Sequence, residues 1–468
     1  MVFPKALALL KQLRFAQLGG KQVGEILIYS KYNFWHCFEQ LVLFNELIPF
    51  YKGQLRQPAR PFPLKAHILG LCMAVYTLLS LPFLLRHRLP VMIYSVDKTS
   101  SADASADFRL AEVYRILEET GVPYVECFHT LFNKSFLVNA ANRRRAALYR
   151  EAIDWVYYLA LPFKRVILGR VAYQPFVMKG VSEAEREVAE LVVREYLATA
   201  PLFQFRVAAF RLLLKILRPR IIVMIDDVRH THELLIAAAA CGIPTVMVQH
   251  GHFTPYHVGW QRGEGLVGTL IRSDTLVVWS EYWKQELLRL GSQWPDTALL
   301  VGGNATAPAS VAAVRSSAPG YRVLIPYEVE APFTEVSAYI VALRALGAEV
   351  ILKLRPDKPA AAQLAPYGVA DMATTTSFSG PYDAVMGTYS TLLYDALAVG
   401  IPVGIFETSL DYGQGMLVNK LALPVRLATL AADLEALKNI SENDMLTRTE
   451  RLRGPTLTKE FLTTTHHT

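Results

Sequence analysis

Cysteine is scarce and scattered. Cys37, Cys72, Cys127 and Cys241 lie far apart in a chain of 468 residues. No paired spacing suits a disulfide framework or a structural zinc site, and no acidic cluster suits a metal, so the expected compartment is the cytoplasm. Charge is sparse as well: charged residues make up 19% and hydrophobic ones 52%, with a mean hydropathy of +0.24. That is apolar for a soluble protein and short of a polytopic membrane protein. The length predicts two or three domains.

Acidic residues are rarest at the start. Residues 1–96 hold 11 Lys+Arg against 3 Asp+Glu, a balance of +8, while the remainder carries 37 against 38, or −1. A basic region confined to one end suits an anionic partner, such as phospholipid head groups or an anionic acceptor. No recognition-helix pattern, aromatic RNA-binding signature or finger spacing accompanies the charge, so nucleic acid is not the expected partner. The expectation is a peripheral protein on the cytoplasmic face of the inner membrane. From Ile68 to Leu85 run eighteen residues without a charge, between Lys65 and the pair Arg86 and Arg88. This is the lower limit for a span. Thr77, Ser80 and Pro82 weaken it, and basic residues on both sides give no orientation, which favours a buried or interfacial helix. The interleaved Phe3, Leu7, Leu10, Lys11, Leu13 and Arg14 lack the compact apolar core and cleavage site of a secretory signal.

The rest of the chain alternates strand-like runs with helical stretches, the mark of parallel α/β architecture. Strands are predicted at Val91–Val96, Val122–Phe128, Ile221–Ile225, Thr245–Val248, Thr275–Trp279, Ala298–Val301, Tyr321–Pro326, Glu349–Leu354, Asp383–Met386 and Ile401–Ile405. Helices are expected after residue 108, closed by Gly121; over Glu183–Leu197; from about Thr231 to Cys241; from Ser280, a suitable N-cap, to Gly291; over Leu392–Val399; and over Asp433–Arg453. Ser100–Asp107 reads as a loop and Arg143–Arg145 as a solvated basic triplet. A Pro/Ala/Ser-rich stretch, Ala305–Gly320, places a boundary near residue 310. The expected divisions are a basic, partly apolar region 1–90, a first Rossmann-like domain 91–310, a second 311–430, and a C-terminal helix and tail 431–468.

Polar residues gather where the predicted strands end, which is where open parallel sheets bind ligands. Asp226 and Asp227 follow one strand, and Gln249-His250-Gly251-His252 follow the next. In the second half, Lys353, Arg355 and Lys358 could neutralise phosphate. Thr388, Ser390 and Thr391 stand at a strand-to-helix junction suited to a diphosphate, and Asp395, on the helix face that includes Thr391, suits ribose hydroxyls. Taken singly, each has a bland alternative: Ser390 as a plain helix cap, the cations as solvated side chains.

The stretch DAVMGTYSTLLYDALAVGIPVGIF (383–406) resembles the nucleotide-binding core of glycosyltransferases built from two facing Rossmann-like domains, the GT-B arrangement. TLVVWSEYWKQELLRLG and ALLVGGNA (275–305) resemble the linker-side end of the first domain in that superfamily. VMVQHGHF (246–253) is similar to the Gln-His-Gly turn of capsule and teichoic-acid transferases, including polysialyltransferase and CDP-glycerol glycerophosphotransferase relatives. The resemblance covers about residues 220–420. It implies a nucleotide-sugar donor, a saccharide or lipid-linked acceptor, a bacterial surface or capsular polysaccharide as product, and neither metal nor cofactor. It assigns His250 as the base, with Asp226 or Asp227 as runner-up, Gly251 and Gly303 as close-approach positions, Ser390 and Thr391 to the diphosphate, and Asp395 to the ribose. Where the relatives carry His-Pro this chain has Arg355-Pro-Asp. UDP-GlcNAc 2-epimerases share the fold and several of these patterns, and a non-catalytic scaffold of a polysaccharide assembly complex stands as a further alternative.

Overall fold

The computed structural model describes the chain outside residues 1, 27, 30, 54–63, 87–88, 97–106, 130–145, 169–174, 226–230, 265, 267–268, 303–320, 330, 356–358, 369–371, 379, 411 and 463–468. The loop expected at 100–107 lies outside the described residues except for Asp107, and the basic triplet 143–145 lies outside them entirely. The chain divides into two compact units. The first comprises Val2–Val278, Lys284–Thr306 and Thr456–Thr468; the second comprises Trp279–Trp283 and Ala307–Pro455.

Seven parallel strands form the sheet of the first unit: β1 (Val91–Val96), β2 (Tyr124–His129), β3 (Ala147–Tyr149), β4 (Ile221–Ile225), β5 (Thr245–Val248), β6 (Thr275–Val278) and β7 (Leu299–Val301). Their order is β7-β6-β5-β4-β1-β2-β3. The connections therefore reverse direction between β1 and β4, the arrangement of a doubly wound Rossmann-like sheet. Its helices are α1 (Val2–Leu13), α2 (His36–Val42), α3 (Leu64–Arg86), α4 (Ala111–Glu119), α5 (Arg150–Leu168), α6 (Glu183–Leu217) and α7 (His232–Cys241). The core joins Ile93, Val223, Val246 and Val277 of the strands to Val113, Ile116 and Leu117 of α4. Leu457 and Phe461, from the end of the chain, complete it. Gly302 makes room for them, since a Cβ there would stand 2.7 Å from Leu457 Cδ1.

Six parallel strands form the second sheet: β8 (Arg322–Pro326), β9 (Glu349–Lys353), β10 (Ala373–Thr375), β11 (Ala384–Gly387), β12 (Val403–Phe406) and β13 (Leu423–Val425). The order β10-β9-β8-β11-β12-β13 again reverses, here between β8 and β11. The chain is thus an α/β protein with two Rossmann-like sheets. Both units turn from helix to strand through the same tripeptide. After α7 come α8 (Glu281–Arg289), α9 (Phe333–Ala345) and α10 (Thr391–Ala398); Gly242-Ile-Pro follows α7 and Gly400-Ile-Pro follows α10, with the glycines at φ 67° and 82°. The Ile243 and Ile401 N–H groups reach back to the Ala238 and Ala396 carbonyls at 3.0 and 2.9 Å, satisfying helix-end acceptors.

Two elements differ from expectation. Helix α6 does not stop at Leu197 but runs 35 residues to Leu217, through Pro201. Its start is fixed by a capping box, in which Ser182 Oγ accepts from Glu185 N and Glu185 accepts from Ser182 N. The stretch 433–453 is two helices, Leu430–Lys438 and Glu442–Leu452, because Ser441 caps a new start through Asp444 N. The Ser280 hydroxyl donates to the Arg451 carbonyl at 3.3 Å.

Candidate functional site

Each sheet gathers side chains at its carboxyl edge. In the first unit, His129 ends β2. Strand β3 leads straight into α5, whose first turns carry Arg150, Glu151 and Asp154. His232 and Glu233 open α7, and the turn 249–252 follows β5. Asp226 and Asp227 lie outside the described residues. The six side chains from His129 to Glu233 are all buried. Helix α6 supplies Arg206, which grips both oxygens of Asp154 (2.6 and 2.9 Å) and one of Glu233 (2.8 Å). Arg150 approaches the same Asp154 carboxylate at 3.7 Å. Sequence reasoning missed this group. Its members are spread over about a hundred residues on separate elements, and only the strand order brings them to one rim.

The turn after β5 is rigidly built around His250. Gln249 donates its N–H to the Val277 carbonyl (2.9 Å) and its side-chain amide to the Gly251 carbonyl (2.7 Å). Of the nearby histidines, His252 and His257 are half-buried, as His250 is. Burial pushes His252 down to about 4 and His257 to about 3, with the His252 charge adding to the latter. His257 stacks on Trp260 at 4.7 Å and meets Thr254 Oγ1 at 2.9 Å. Both rings are therefore neutral near pH 7. A Cβ on Gly251 would meet no atom within 4 Å, so the turn leaves open space beside His250.

In the second unit the carboxyl edge contains a group that the sequence did not single out. Glu328, two residues past β8, is 4% exposed and lies across the reversal point from β11. Its carboxylate accepts N–H bonds from Thr388 (2.9 Å), Tyr389 (2.8 Å) and Ser390 (2.7 Å), and one from the Thr388 hydroxyl. Burial raises its proton affinity above the ordinary 4.5, and these four donors pull the other way. Gly387 makes the approach feasible, because a Cβ there would stand 2.9 Å from Glu328 Oε1. The nest expected to receive a diphosphate therefore already holds an anion, supplied by the chain itself. Ser390 is also the N-cap of α10, its hydroxyl accepting from Leu392 N at 3.2 Å.

Around this nest stand the other expected residues. Thr391 and Asp395 are half-buried on α10. Lys353 ends β9; burial lowers its pKa, and the Asp395 carboxylate counters that, so the two charges sense each other. Arg355 presents an exposed side chain on a fixed backbone: Gln363, fully buried, accepts its N–H (2.7 Å) and donates to its carbonyl (2.9 Å). Lys358 and Gly303 lie outside the described residues. The structure thus brings Lys353, Arg355, Thr388, Ser390, Thr391 and Asp395 to one sheet edge.

No family model matches the chain, and no curated protein matches it in sequence. Solved structures do show a likeness. The UDP-GlcNAc 2-epimerase from Methanocaldococcus jannaschii is 12% identical, with 75% of this chain and 94% of that chain covered and a TM-score of 0.44. The calicheamicin glycosyltransferase CalG4 is 12% identical over 78% and 94%, with a TM-score of 0.47. The glycosyltransferase SnogD from Streptomyces nogalater is 14% identical over 78% and 95%, at 0.44. At these scores the likeness has no bearing on activity, and the fold statement rests on the two sheets themselves.

Proposed function

We propose that the chain is a GT-B glycosyltransferase that draws a sugar from a nucleotide-activated donor to build a bacterial surface or capsular polysaccharide. The observation that carries this is the nest at Thr388–Ser390. It sits at the reversal point of a doubly wound sheet and has the donor geometry to bind an anion, with Lys353, Arg355 and Asp395 at the same rim. In the reaction, an acceptor hydroxyl gives its proton to His250 while its oxygen attacks the anomeric carbon. The bond from that carbon to the diphosphate breaks, and the nucleoside diphosphate leaves with the electron pair. The N–H groups of the nest and the cations Lys353 and Arg355 take up the growing negative charge, and Asp395 accepts from the ribose.

A UDP-GlcNAc 2-epimerase-like activity is the second reading. The buried Glu151, Asp154 and Glu233 at the first sheet's rim favour it, because epimerisation needs acid and base groups around the sugar. Incubation with labelled UDP- and CDP-sugars and an oligosaccharide acceptor separates the two. Transfer of label to the acceptor with equimolar release of nucleoside diphosphate supports the transferase. Conversion of the donor to its C2 epimer without an acceptor supports the epimerase. Neither product with any donor favours a non-catalytic scaffold, for which the filled nest is the structural argument.

A further inference from the structure

Helix α3 is apolar on both sides, whereas the helices of a soluble protein keep polar residues outward. Its inner side packs on the sheet: Leu69 and Met73 meet Phe128 of β2 and Ala147 and Tyr149 of β3, and the Tyr149 N–H donates to Thr77 Oγ1 at 3.1 Å. Its outer side carries Ile68, Leu71, Val75, Leu78, Leu79 and Phe83, the last two 67% exposed. Because one flank is fixed to the sheet, the helix lies along the molecule and does not stand free to span a bilayer.

The neighbouring helices extend the same surface. Helix α3 packs against α5, and both contact α6. Val156 and Leu159 are exposed on α5, and Leu212 and Ile216 on α6. Between these apolar groups the charges have one sign. No Asp or Glu occurs in 64–86, in 155–168 or in 196–225, whereas the last of these holds Arg206, Arg211, Lys215, Arg218 and Arg220. Arg86, Arg211, Lys215, Arg218 and Arg220 are exposed. The Arg220 N–H bonds the Pro90 carbonyl at 2.7 Å, which ties the end of α6 to the end of α3 at the amino edge of the sheet. Apolar stripes joined by cations, with acids absent from α3, from 155–168 of α5 and from 196–217 of α6, complement an anionic, apolar-cored surface.

We propose that the outer faces of α3, α5 and the last turns of α6 form one docking surface for an anionic phospholipid bilayer, entered to the interface and not crossed. It stands apart from the donor-site reading and needs no nucleotide. The stripe runs from Ile68, near the carboxyl edge, to Leu85 at the amino edge, so the rim that carries His129 and Glu151 borders the membrane.

Vesicle co-sedimentation of the full chain tests it, with phosphatidylcholine alone or mixed with phosphatidylglycerol. Wild type should bind the mixed vesicles and bind the neutral ones at least tenfold more weakly. A cation near an anionic surface contributes roughly fivefold, so Arg211→Glu/Lys215→Glu should lower binding by about twentyfold or more. Leu78→Ser/Leu79→Ser/Phe83→Ser, at exposed positions, should abolish binding while keeping the circular dichroism spectrum. Failure of wild type to bind either vesicle overturns the proposal. So does binding that neither variant reduces. A wild-type dimer in light scattering that the triple variant makes monomeric, without vesicle binding, would instead identify the face as a contact between copies.

Discussion

Replacing Glu328 by alanine empties the anion nest of the second unit. Three N–H groups, of Thr388, Tyr389 and Ser390, then lose the carboxylate that satisfies them. An orphaned buried donor costs about 1–3 kcal/mol; the Tyr389 and Ser390 N–H groups are only part-buried, so at about 1–2 kcal/mol for each of the three the loss is about 3–6 kcal/mol if nothing enters. For a unit of this size each kcal/mol is about 2–4 °C in Tm, which predicts a fall of roughly 6–24 °C in phosphate-free buffer. Water will recover part of that, and an anion should recover most. A nucleoside diphosphate at a hundred times its Kd stabilises by about 2.7 kcal/mol. In wild type it must first displace Glu328; in Glu328→Ala it need not. Differential scanning fluorimetry across a UDP titration should therefore show a larger upward shift, and a lower half-saturation, for Glu328→Ala than for wild type. A variant as stable as wild type without phosphate, or one that added nucleotide stabilises no more than wild type, would show that Glu328 does not hold the nest.

Three further outcomes follow from the geometry. Asp154 and Glu233 are buried and share Arg206, so Arg206→Met removes the nearest cation from both, leaving Arg150 at 3.7 Å from Asp154, and should cost about 3–5 kcal/mol in urea denaturation. His250→Gln should lower transfer by about 10²–10⁴-fold while leaving nucleotide affinity within twofold, because the residue belongs to the first unit's rim and not to the nest; steady-state kinetics alongside calorimetry checks both. His252 and His257 are held neutral when folded, at about 4 and about 3, but take up protons near 6.5 when unfolded. Stability should therefore fall as pH drops from about 6.5 towards 4, by about 2 kcal/mol per ring at pH 5. Glu328 has the opposite sign, since its raised folded pKa makes stability fall as pH rises from about 4.5 through that value. Urea melts of His252→Asn and Glu328→Gln at pH 5 and 7.5 should separate the two.

Much of the fold was legible because buried parallel strands read as short apolar runs between helical stretches. Val91–Val96, Ile221–Ile225 and Thr245–Val248 stand where their runs do. The segment 147–149 was not, since a three-residue strand running directly into a helix leaves no run to see. Helix α6 was cut short because Pro201 reads locally as a stop, while packing of Phe203, Val207, Phe210 and Leu214 carries the helix onward. At the site, residues held by local chemistry were visible: the hydroxyls of Thr388 and Ser390 announced a strand-to-helix junction. Glu328 was not, because its partners lie 60 residues away and only the pairing of β8 with β11 makes them neighbours. The apolar run of α3 was plain, but the continuation of its surface onto α6 depends on which helices pack together.

Whether the carboxyl edge of the second sheet binds a nucleotide donor is decided by a thermal-shift screen with UDP, CDP, CMP, GDP and ADP. One nucleotide should raise the melting temperature of wild type, and Ser390→Ala/Asp395→Ala should remove the shift. Stabilisation that persists undiminished in the double variant, or no shift with any of the five, would contradict donor binding at that edge.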